Sequence, residues 1–212
     1  MFDEFIEAFG VDPSTAQTSS VWADPALLGV PGYEQMLDKY AGRSFGGGIY
    51  RFHTATTAPA MLAKINEYFP EFRGRLRPFS YDWLGRQFCI DRTRTRGAEP
   101  LVLLVEPGSG EALKVPTTFA EFRESELVNY AGDALAVDFY ANWRESARVV
   151  DLIDRDRCVG YRVPLFLGGA DEVSNLELTD IEVYWELCGQ LLLSVRPHEN
   201  GVDVAGVDIG DR

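Results

Sequence analysis

The stretch from Cys158 to Ser194 constrains the fold more than any other part of the chain. It reads CVGYRVPLFLGGADEVSNLELTDIEVYWELCGQLLLS, three apolar runs parted by Gly168-Gly169, Asn175 and Cys188-Gly189. Short runs of β-branched and aromatic residues between turn formers read as strands, so a small antiparallel sheet is expected here. Within it Asp180, Glu182 and Tyr184 alternate with Ile181, Val183 and Trp185. On a strand this spacing buries one face and turns two carboxylates and a phenol to the other.

The rest of the chain is punctuated differently. Phe2, Phe5, Ile6 and Phe9 follow the spacing of one helical face, ended by Gly10 and Pro13. Pro31-Gly32 opens a second helix carrying Tyr33, Leu37 and Tyr40. Residues 45–53 read as a strand loosened at its start by Gly46-Gly47-Gly48. Pro59 begins the clearest helix, with Met61, Leu62, Ile65, Tyr68 and Phe69 on its stripe, and Pro70 ends it. Strands are expected at 79–83, 87–91, 101–106 and 112–115, the first two joined by Leu84-Gly85-Arg86 and the last two by Pro107-Gly108-Ser109-Gly110. Thr118-Phe119-Ala120-Glu121 is a capping box that starts a helix with Phe119 and Phe122 turned inward, and Leu135, Phe139 and Trp143 mark another. The glycines and acids of 197–212 read as a frayed tail. This order argues an α+β fold, mixed helices and mainly antiparallel sheets packed as one compact body. Phe2, Phe5, Phe9, Phe139, Trp143 and Trp185 are expected in its core.

Little in the sequence supports catalysis. Phe45-Gly46-Gly47-Gly48 lacks the Lys-Ser/Thr of a phosphate loop, so the glycines read as a structural turn. His53 and His198 are the only histidines, scant material for a Ser-His-Asp arrangement or a metal pair. Cys89, Cys158 and Cys188 lie 69 and 30 residues apart in apolar runs, which suits buried thiols rather than a zinc site or disulfide. No catalytic residue, cofactor or metal is expected. Asp180 and Glu182 remain open to three readings: a solvated face, a protein-binding face shared with Tyr184, or the paired carboxylates of acid–base chemistry.

Charge separates the partner classes. The net charge is −13, and its distribution is uneven: residues 1–100 hold 11 Lys+Arg against 12 Asp+Glu, residues 101–212 hold 9 against 21. Such a field repels nucleic acid and membrane surfaces and draws basic partners. It tells against a phosphate-binding role for Arg73, Arg75 and Arg77 or for Arg92, Arg94 and Arg96, although each alternating triple lines one side of an extended chain. Met1-Phe2-Asp3-Glu4 lacks the basic start of a signal peptide, so a cytoplasmic, reduced setting is expected, with no membrane contact.

Several segments are similar to a known family. Asp156-Arg157-Cys158-Val159-Gly160-Tyr161, Pro164-Leu165-Phe166-Leu167-Gly168-Gly169, Asn175-Leu176, Asp180-Ile181-Glu182-Val183-Tyr184-Trp185 and Gly189-Gln190 resemble the C-terminal immunity domain of proteins that bacteria pair with type VI secretion DNase toxins. Tyr33 to Tyr40 with Ser44 to Arg51 resembles the GAD-like region that precedes it. The resemblance implies a GAD-like domain at 1–117, an immunity-type domain at 118–199 and a tail at 200–212. It also implies an antitoxin that binds a cognate basic nuclease toxin, with no direct contact to nucleic acid. The alternatives are a small-molecule hydrolase using the Asp180/Glu182 face and a regulatory or scaffold domain without a toxin partner.

Overall fold

A computed structural model describes residues 2–13, 24–148 and 151–196. Its centre is an antiparallel meander whose six strands lie side by side in chain order: β1 (Ser44–Phe45), β2 (Tyr50–Phe52), β3 (Leu76–Asp82), β4 (Gln87–Arg96), β5 (Glu99–Glu106) and β6 (Glu111–Thr118). Phe88 stands opposite Leu104 and Ile90 opposite Val102. Because side chains alternate along a strand, Phe88, Ile90, Val102 and Leu104 enter one core while Cys89, Leu103 and Val105 enter another. Both faces are apolar, so both must be covered by helices.

On the first face lie α1 (Phe2–Phe9), α2 (Tyr33–Tyr40), the helical stretch from α4 (Phe119–Glu121) through a π turn at Phe122–Glu126 to α5 (Leu127–Asn129), then α6 (Ala131–Leu135) and α7 (Val137–Ala147). The expected capping box is present: Thr118 Oγ1 accepts from the Glu121 N–H, and the Glu121 carboxylate accepts from the Thr118 N–H at 2.9 Å. Phe119 and Phe122 turn inward onto Phe79. The second face carries α3 (Thr57–Tyr68) and α8 (Ile181–Val195), with β7 (Arg157–Tyr161) and β8 (Leu176–Asp180) as a separate antiparallel pair alongside. The fold is thus α+β.

Residues 181–194 are the largest departure from expectation: they form a helix, not a strand. Asp180 caps it, its Oδ1 accepting from the Glu182 and Val183 N–H groups at 2.9 and 3.0 Å. Ile181, Tyr184, Trp185, Cys188 and Leu192 fall on one helical face and are buried, the period of an amphipathic helix. Tyr184 therefore does not share a face with Asp180 and Glu182. Its ring is buried, and its hydroxyl accepts from the Tyr161 N–H. Only Cys158 to Tyr161 and Leu176 to Asp180 keep the expected sheet character.

Cys188-Gly189, read in the sequence as a break, is a packing seat. A Cβ at Gly189 would lie 2.2 Å from the Tyr68 ring, so only glycine lets α3 and α8 approach this closely. Trp185 is fully buried and donates its indole N–H to the Gly85 carbonyl at 2.8 Å. Burying a side chain of this size contributes about 2–3 kcal/mol.

The expected single strand at 45–53 is instead the hairpin of β1 and β2. Gly46, Gly47 and Gly48 take φ of 61°, 75° and 92° and reverse the chain, a conformation costly for other residues. The buried Asp12 carboxylate holds this turn, accepting from Ser44 Oγ at 2.6 Å and from the Gly47 and Gly48 N–H groups at 2.8 and 3.0 Å. Of the aromatics expected in the core, Phe2, Phe5, Trp143 and Trp185 are buried, whereas Phe9 and Phe139 sit half-buried at its edge. The tail expected at 197–212, with His198, lies outside the described residues.

Candidate functional site

A cleft of about 280 Å³ opens between α3 and the first turn of α8. Residues more than a hundred positions apart meet in it: Thr57, Ala60, Met61 and Lys64 from α3, His53 and Tyr81 beneath, Arg155 and Asp156 from the segment before β7, and Asp180, Ile181 and Glu182. Two of the three residues singled out in the sequence, Asp180 and Glu182, line this cleft. The third, Tyr184, lies behind it in the core.

Two arginines brace the cleft: Arg155, half-buried, lines it, and Arg51 lies buried behind its Tyr81 wall. Arg51, wholly buried on β2, donates to the carbonyls of Asp154 and Arg157 at 2.8 and 2.6 Å and of Asp82 at 2.8 Å. Its guanidinium lies 4.5 Å from the centre of the Tyr81 ring, a stacked contact that suits the planar group. Arg155 reaches the opposite way, donating to the carbonyls of Gly42 and, at 3.0 Å, Phe52. The hairpin β1–β2 and the segment before β7 are therefore clasped reciprocally. The Tyr81 hydroxyl adds a bond to the Arg155 carbonyl at 2.9 Å, and the Asp156 carbonyl accepts from the Ile181 N–H at 2.9 Å, seating α8.

The ionisable groups around the cleft are held in definite states. His53 is buried, with Nδ1 3.0 Å from Thr57 Oγ1 and Nε2 2.8 Å from Gln87 Oε1. Burial pushes its pKa down to about 3, and the nearby charges of Arg155 and Arg51 add to the effect. The imidazole is therefore neutral at physiological pH with both nitrogens engaged, poorly suited to shuttle a proton. Lys64 pairs with Glu186 at 2.9 Å. That ammonium, with hydrogen bonds that include one from Gln190, holds the Glu186 carboxyl down to about 2. One oxygen of Asp180 is committed to the helix cap. The carboxylates of Asp156 and Glu182 make no hydrogen bond or ion pair among the described residues, and both side chains are exposed.

On the outer side of α8, Val183 and Leu187 are 60% and 54% exposed, one turn apart. Four arginines of the two alternating triples, by contrast, bond within the fold. Arg75 pairs with Asp91 at 2.6 Å, Arg77 with Asp24 at 3.2 Å and Arg96 with Glu121 at 2.6 Å, while Arg94 donates to the Val102 carbonyl at 3.0 Å. The three cysteines are buried, and burial pushes the Cys188 thiol up to about 12. Sequence reasoning gave no role to Arg51, Arg155 or Asp156. The only available signal was a charged residue in the middle of the aromatic run Tyr50-Arg51-Phe52.

No curated protein sequence matches the chain. The crystal structure of Atu4351 from Agrobacterium tumefaciens superposes with a TM-score of 0.59 at 10% identity, covering 90% of this chain and 89% of that one, so the two share a fold. Residues 117–192, from the end of β6 through most of α8, match the family model described as T6SS immunity protein Tdi1, C-terminal, and it is this family that the C-terminal part of the chain is similar to.

Proposed function

We propose that the protein is an immunity protein that binds a cognate secreted DNase toxin and neutralises it by direct association in the cytoplasm. The observation that carries this reading is the match of residues 117–192 to the immunity family. Two physical features support it. A nuclease must present positive charge to DNA, and a chain of net charge −13, with the excess in residues 101–212, is electrostatically suited to compete for that surface. The exposed Val183 and Leu187, beside the carboxylates of Asp180 and Glu182, supply apolar area flanked by charge, the usual make-up of a protein-binding patch. Asp180 and Glu182 are accordingly placed in or beside the contact.

The hydrolase alternative is weakened by its own residues. Asp180 is committed in part to capping α8, and His53 has both ring nitrogens engaged. Co-expression with a candidate DNase toxin, sought among the products of neighbouring genes, tests the proposal. Cells carrying both genes are expected to keep intact chromosomal DNA and to grow, whereas cells carrying the toxin alone lose both. Equal DNA degradation with and without this protein would overturn the immunity reading.

A further inference from the structure

We infer that the cleft between α3 and the start of α8 receives a cationic side chain, an arginine or lysine of the bound partner. This rests on the function proposed above and names its anchor point. The cleft has the two parts such a side chain requires. Ala60 and Met61 on α3 and Ile181 on α8 provide aliphatic wall for a methylene stem. Asp156, Glu182 and the uncommitted oxygen of Asp180 stand around the same space, paired with no guanidinium or ammonium among the described residues.

The cations nearby are already engaged. Lys64 is held by Glu186 at 2.9 Å, and Arg155 is turned into the carbonyls of Gly42 and Phe52. An anionic group entering the cleft would meet three carboxylates, whereas a cation would neutralise them. A cation partly removed from water between carboxylates gains far more than an exposed surface pair. One committed side chain in a cleft is also the geometry in which interface energy concentrates.

The test uses the full chain labelled at its methionine methyl groups. Met61 lines the cleft, and Met36, buried in the other core, is the internal control. Titration with N-acetyl-argininamide is expected to shift the Met61 methyl resonance and leave Met36 in place. N-acetyl-norleucinamide and N-acetyl-glutamate amide are expected to shift neither. The double variant Asp156→Asn/Glu182→Gln, whose side chains make no internal bonds, is expected to lose the response and to bind the toxin at least roughly tenfold more weakly. No Met61 shift with the arginine probe, or a shift with the glutamate probe instead, would overturn the inference. So would wild-type toxin affinity in the double variant. Failure of the wild-type chain to bind the toxin would sink the immunity reading alone, because the methyl titration judges the cleft without the toxin.

Discussion

His53 illustrates at the residue scale how burial decides what a titratable group can do. In the unfolded chain a histidine titrates near 6.5, whereas burial pushes the folded-state value down to about 3. Between those values the unfolded chain binds the extra proton and the folded one does not. Stability is therefore fully present above pH 6.5 and falls as the pH drops through that window, by up to ~1.4 kcal/mol per pH unit. Denaturant titrations at several pH values between 6.5 and 5 are expected to show a steeper loss for the wild type than for His53→Gln. Parallel profiles would show that His53 is not held neutral. The same residue-scale logic separates Asp180 from Glu182. The first caps a helix, so its replacement carries a folding cost of ~1 kcal/mol, and the second alone is a clean probe of charge at the surface.

At the scale of elements, α8 shows what the sequence could and could not disclose. Apolar periodicity disclosed α1 and α3, turn formers disclosed the β3–β4 and β5–β6 hairpins, and the capping box at Thr118 fixed the start of α4. Residues 181–194 misled because Ile181, Val183 and Trp185 satisfy a two-residue period while Ile181, Tyr184, Trp185 and Cys188 satisfy a helical one. Short apolar runs do not decide between the two. The residues that decide are Asp180 as cap and Gly189 as seat for Tyr68, and the second acts only through an element more than a hundred positions away. Replacing Gly189 with Ala drives a methyl into that ring and is expected to cost about 1–3 kcal/mol. A lowered unfolding midpoint with unchanged cooperativity would bear this out, and an unchanged midpoint would contradict the α3–α8 contact. The cleft was illegible for the same reason. Its residues come from four separated segments, and no local pattern links Met61 to Asp156 and Glu182.

Across the whole molecule, the arginine clasp ties the N-terminal hairpin to residues 154–157, inside the segment that matches the immunity family. Arg51 makes three carbonyl contacts from a fully buried position, which a lysine, a point charge without the planar fork, does not reproduce. Arg51→Lys is expected to destabilise the fold by about 3 kcal/mol, measurable by denaturant unfolding; a change under ~1 kcal/mol would mean that the two parts are held mainly by apolar packing. With the parts held together, the cleft and the outer side of α8 keep fixed positions on one body. The most direct measurement of that account is a titration of a purified candidate DNase toxin, sought among the products of neighbouring genes, with the purified protein, following both complex formation and DNA cleavage. The account expects a stoichiometric complex whose formation abolishes cleavage, with association slowed by Glu182→Lys and most strongly at low salt. Undiminished cleavage in the presence of excess protein, with no complex formed, would contradict it.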